Sequence, residues 1–61
     1  MEIIEKHKGR TAKVAKVTGT TDKDAALEFV MAHYDESKSG LFGWSVIEDF
    51  DGNLDVSLWT D

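Results

Sequence analysis

The segment Asp49-Phe50-Asp51-Gly52-Asn53-Leu54-Asp55 gathers three carboxylates and an amide around one glycine, a set of oxygen donors suited to calcium. Its spacing does not complete such a site. An EF-hand loop needs glycine at its sixth position and a bidentate glutamate at its twelfth, whereas counting from Asp49 places Gly52 fourth and Thr60 twelfth. Asp-Gly-Asn is also the chemistry of a tight turn, because these residues tolerate positive φ. The segment is therefore read as a hairpin turn, and no metal is expected.

His7 and His33 are the only histidines, and the chain has no cysteine. Neither histidine has the companions of a zinc site or of a catalytic dyad; His33 is expected half-buried at the edge of a helix face. Nothing has the spacing of a nucleophile elbow, a phosphate-binding loop or a dinucleotide fingerprint. So short a chain also leaves little room for a concave active site. The expectation is a protein that is not an enzyme and needs no cofactor.

Charge is the next chemical resource. Residues 1–20 carry five basic and two acidic side chains, and residues 21–61 carry two basic and ten acidic ones, for a net charge of −5. Lys6, Lys8, Arg10, Lys13 and Lys16 would form a phosphate-contacting surface if one hairpin presented them together, which makes a nucleic-acid-binding module the alternative function. The overall acidity opposes it, no aromatic platform for bases is interleaved, and an internal match to the acidic half would account for the same residues. Asp24, Glu28, Asp35, Glu36, Glu48, Asp49, Asp51 and Asp55 could face a basic protein or simply confer solubility. Asp35 and Glu36 are expected in the last turn of a helix, where the dipole disfavours them.

The elements that must position these groups follow from periodicity. Steps of 100° place Ala26, Val30 and Tyr34 at the centre of one helix face, Leu27 and Met31 on one flank, and Phe29 and His33 on the other. Thr20 and Thr21 offer caps, with Thr21 and Asp24 in a shortened capping box, and Gly40 offers the left-handed position after the last turn. The predicted helix runs from about Asp22 to about Lys38. After it, Trp44, Val46, Glu48 and Phe50 alternate, as do Leu54, Val56 and Leu58. A three-residue loop over Asp51, Gly52 and Asn53 pairs Phe50 with Leu54 and Val46 with Leu58, keeping the apolar rows on one face. A first hairpin spans Glu2 to Thr18, with an irregularity expected between Val14 and Ala15, where the alternation changes phase.

Sixty-one residues make one small α+β domain of order β-β-α-β-β, an antiparallel sheet with one helix packed across one face. One helix covers ~10 Å of a four-stranded sheet ~19 Å wide, so apolar surface should remain uncovered. Ile47 and Trp59 point away from the helix-facing row, Phe42 lies in the link, and the apolar arc of the helix extends to Met31. The leading expectation is a small acidic protein-interaction or regulatory protein, self-associating or bound to a protein partner through Phe42, Trp44, Ile47, Trp59 and Met31. No apolar run is long enough for a membrane span or a signal-peptide core, so a soluble, unprocessed, cytoplasmic chain is expected. Its economy suits a phage or bacterial accessory protein.

Overall fold

A computed structural model describes residues 1–60. The strands β1 (Glu2–Lys8) and β2 (Ala12–Thr18) form a hairpin, the helix α1 (Lys23–His33) follows, a single 3-10 turn covers Lys38–Gly40, and β3 (Leu41–Glu48) and β4 (Leu54–Thr60) form a second hairpin. All neighbours are antiparallel, and the sheet order is β1-β2-β4-β3. The two hairpins thus join through β2 and β4, and β1 and β3 are the edges.

The core lies where the two central strands meet the helix. Ala15, Val17, Leu54, Val56 and Leu58 face Ala26, Leu27, Val30 and Met31, all buried. Burying a leucine or valine side chain contributes ~1.5–3 kcal/mol, so the central strands carry most of the packing. The edge strands add only partly covered residues, Ile3 from β1 and Leu41 and Val46 from β3.

The helix starts where the cap residues predict but ends earlier. Asp22, rather than Thr21, is the N-cap: its Oδ1 accepts the Ala25 amide at 3.1 Å, while Thr20 Oγ1 accepts the Asp22 amide. At the other end Asp35 takes the left-handed conformation, with φ of 56°. The Glu36 amide donates to the Met31 carbonyl at 2.8 Å and the Asp35 amide to the Ala32 carbonyl at 3.3 Å, the paired bonds of a Schellman motif. Asp35 and Glu36 therefore lie beyond the helix, not in its last turn, and Gly40 belongs to the 3-10 turn instead of capping α1.

The second hairpin keeps the predicted faces but not the predicted register. Val46 pairs with Val56, Trp44 with Leu58 and Glu48 with Leu54, each two residues from expectation. The cause is Asp49, whose Oδ1 accepts the amides of Asp51 and Asn53 at 2.9 and 3.0 Å. Its side chain organises a five-residue loop that leaves Gly52 at φ of 78° and expels Phe50 from the ladder into full exposure. In the first hairpin the irregularity occurs at the predicted level but on the other strand. Glu5 pairs with Ala15 and His7 with Val14, so Lys6 is the extra residue, and β2 keeps its alternation with Val14 on the open face.

Candidate interaction surface

The large apolar side chains left outside the core concentrate on β3 and its neighbour β4. Phe42 is 83% exposed, Ile47 62%, Trp44 43% and Trp59 42%. They do not share one face. Trp44 lies opposite Leu58 and so on the helix side, whereas Ile47, opposite Asp55, and Trp59, opposite Gly43, lie on the open side. Phe42 is the unpaired residue of a bulge between Leu41 and Gly43, and bulges re-aim side chains at sheet margins.

The result is an aromatic wrap around one end of the sheet. Phe42, Gly43, Trp44, Trp59, Thr11 and Thr60 enclose an open cleft of about 600 Å³. Its floor is Gly43: a Cβ there would lie 3.6 Å from Trp59 Cε3, so the indole rests against the bare backbone of the edge strand, a known compensation for an edge glycine. None of the lining side chains is a carboxylate, imidazole, thiol or amine, so the cleft offers apolar contact and hydroxyl hydrogen bonds, with no general acid or base.

Sequence reasoning missed Thr11, Gly43 and Thr60 as neighbours of this surface. A glycine inside a strand pattern is the one available signal, since it marks close approach to a backbone. Met31, placed on the surface by its position on the helix flank, is instead a core residue at 4% exposure, in one cluster with Leu54, Val56 and Leu58 of the sheet. Ile47 sits away from the cleft, in a row with Asp55, Lys16 and Ile4 across the open face.

The basic cluster is largely matched by the acidic half. Lys6 Nζ lies 3.4 Å from Asp55 Oδ1, Lys13 Nζ 3.3 Å from Glu36 Oε1, and Lys16 Nζ 3.2 Å from Asp49 Oδ2. These pairs tie β1 to β4, β2 to the segment that follows α1, and β2 to the β3–β4 loop. Lys13, on the helix-facing side with Leu58, also stands 5.9 Å from the centre of the Tyr34 ring. The hydrogen bond and charge of Asp49 hold the Lys16 ammonium above its ordinary pKa. Desolvation pushes the Asp49 carboxyl up, but the Asn53 amide, Lys16 and the Asp51 amide outweigh it and hold the group below its usual value. Lys8 and Arg10 stand apart from these pairs.

The histidines are separate from the cleft. His33 is exposed rather than half-buried, with its ring edge-on to Tyr34 at 4.8 Å. Among the described residues no three His, Cys, Asp or Glu side chains are grouped to hold a metal ion, and no helix is long and apolar enough to cross a membrane. Compared with family models, curated proteins and solved structures, the chain matches none.

Proposed function

We propose that this chain is a small non-enzymatic interaction or regulatory protein that docks a protein partner on the aromatic end of β3 and β4. The observation that carries this reading is the cleft. Two tryptophans and a phenylalanine surround exposed backbone with no ionisable group among them, and aromatic side chains around a desolvated depression are the composition of interface hot spots. At the other end of β3, the exposed Glu48 would favour a partner that reaches along the strand with a basic flank.

The test is to pan a random peptide library against the folded protein and map binders by backbone amide shifts. Selected peptides should move the amides of Phe42, Gly43, Trp44 and Trp59. They should lose binding to Phe42→Asp and Trp59→Asp, both with unchanged far-UV circular dichroism. Phe42 is so exposed that its variant separates docking from folding. The proposal fails if selected peptides bind elsewhere, or if binding survives both substitutions. It also fails if no peptide enriches and the protein does not self-associate.

A further inference from the structure

The two sheet edges differ in a way that bears on which partner fits. β1 reads Glu-Ile-Ile-Glu-Lys-His-Lys and carries a bulge at Lys6; charges, lysines and bulges are the usual devices that discourage an edge from pairing with another chain. β3 reads Leu-Phe-Gly-Trp-Ser-Val-Ile-Glu. It has no lysine, and its bulge falls at the start, leaving Gly43 to Glu48 regularly paired with β4. The Leu41 amide closes the 3-10 turn on the Lys38 carbonyl, but among the described residues no loop backbone and no side chain hydrogen-bonds to residues 42–48, so the outer row of peptide groups beyond Leu41 is open to a further strand.

Resting on the docking surface proposed above, we infer that its occupant is a second copy of this chain, added antiparallel along β3 with Ser45 on the two-fold axis. That register sets Gly43 opposite the partner's Ile47 and Trp44 opposite the partner's Val46, each twice. Large side chains thereby meet small ones on both faces. On the open side the exposed Ile47 covers the partner's bare Gly43, next to the Trp59 indole. On the helix side the two Trp44 rings become diagonal neighbours, a separation of ~7–8 Å that aromatic side chains can span.

Charge supports the same register. Glu48 lies on the helix side, opposite Leu54. In the dimer the partner's Glu48 becomes diagonal to Trp44, the ring beside which Lys38 Nζ stands at 5.9 Å. Among the described residues the Lys38 ammonium otherwise meets only Glu28, at 3.8 Å and with both side chains exposed. Two Glu48–Lys38 pairs would therefore close across the seam, while the two Glu48 carboxylates stay at opposite ends of it. The product is a continuous eight-stranded sheet with both helices on one face.

The chain's lack of cysteine makes the test clean. Directly opposed residues of an antiparallel pair have Cα atoms about 4.5–5.5 Å apart, within the span of a disulfide. Ser45→Cys should oxidise to a covalent dimer, while Ile4→Cys, on the protected edge, should not. Sedimentation should show a mass rising with concentration from 6.8 kDa towards twice that value. Ser45→Lys and Ser45→Glu, which oppose like charges on the axis, should each be monomeric, and mixing them in equal amounts should restore the dimer.

A monomeric mass at every concentration overturns the inference. A dimer that Ser45→Cys does not trap and Ser45→Lys does not weaken also overturns it, by moving the seam elsewhere. The docking surface stands or falls separately. If the protein is monomeric but library peptides bind in a manner dependent on Phe42 and Trp59, the surface is right and its occupant is another protein.

Discussion

One carboxylate organises both the second turn and its link to the sheet: Asp49 Oδ2 lies 3.2 Å from Lys16 Nζ, while Oδ1 accepts the amides of Asp51 and Asn53. A carboxyl whose pKa is lowered in the folded state adds stability above its unfolded pKa, and that stability is lost as pH falls through the folded value. Asp49→Asn keeps an acceptor for the turn amides but removes the titration. It should therefore flatten the acid limb of melting temperature against pH by lowering the neutral value towards the acid one. Asp49→Ala, which also leaves the two amides without their acceptor, should melt clearly lower at every pH. Equal behaviour of the two variants would mean that the turn bonds contribute nothing.

Tyr34 makes the opposite prediction at high pH. Its hydroxyl donates to Glu5 Oε2 at 2.8 Å, and burial together with that carboxylate pushes its pKa from 10.0 up to about 12. A raised phenol pKa gives stability that is complete below the unfolded value and disappears as pH rises from about 10 to about 12. Tyr34→Phe should cost about 1 kcal/mol or less at neutral pH, a small value because the bond is solvent-exposed. The destabilisation of the wild type between those two pH values should exceed that of the variant, read by chemical denaturation.

The charge pairs set an expectation for nucleic acid. With Lys6, Lys13 and Lys16 each held against a carboxylate, Lys8 and Arg10 are what remains of the basic cluster for phosphates. The slope of affinity against salt scales with the phosphates neutralised, at ~0.9 per contact on duplex DNA. A mixed-sequence duplex titrated at low salt should give at most a weak response with a slope of about 2 or less, lost in Lys8→Glu/Arg10→Glu. A steeper slope, carried by Lys13 and Lys16, would revive the nucleic-acid reading.

Asp35 gives a stabilising substitution. A non-glycine residue in the left-handed region costs about 1–2 kcal/mol, and a carboxylate just past a helix C-terminus also opposes the dipole. Asp35→Gly removes both penalties but adds unfolded-state entropy. The net gain should be about 0.5–1 kcal/mol, a rise of roughly 2–8 °C in a domain of this size. A fall would mean that the Asp35 side chain has a stabilising role that its backbone does not reveal.

Element order, helix face and the sidedness of Ile47 and Trp59 were legible because each follows from a periodicity repeated over several residues. What was hidden depended on single side chains acting on local backbone. Asp35 could end the helix in place of Gly40 because the Schellman bonds outweighed its dihedral cost. Asp49 could lengthen the turn because an aspartate accepting two amides outweighs the apolar alternation that would have kept Phe50 in the ladder. Met31 was misplaced for a different reason: its helical angle was read correctly, but how far the sheet covers that flank has no local signature in the sequence. Thr11 and Thr60 reached the cleft only through strand order, which brings the β1–β2 loop beside the end of β4, where the Thr60 amide donates to the Thr11 carbonyl at 2.8 Å.

Gly43 and Gly9 should respond in opposite directions to one methyl group. At Gly43 the added Cβ would meet Trp59 Cε3 at 3.6 Å, an ordinary van der Waals contact, and the backbone is not in the left-handed region. At Gly9 it would lie 2.6 Å from His7 Nε2 and 3.1 Å from the Ala12 carbonyl oxygen, the atom that accepts the Gly9 amide at 2.7 Å. Imidazole can swing aside, but the carbonyl is fixed by the hairpin. Gly43→Ala should therefore gain about 0.5–1 kcal/mol from reduced backbone entropy, whereas Gly9→Ala should lower the melting temperature. A loss at Gly43 would mean that the indole sits tighter on the strand than 3.6 Å implies. The cleft floor would then be a packed contact rather than backbone left accessible to a partner.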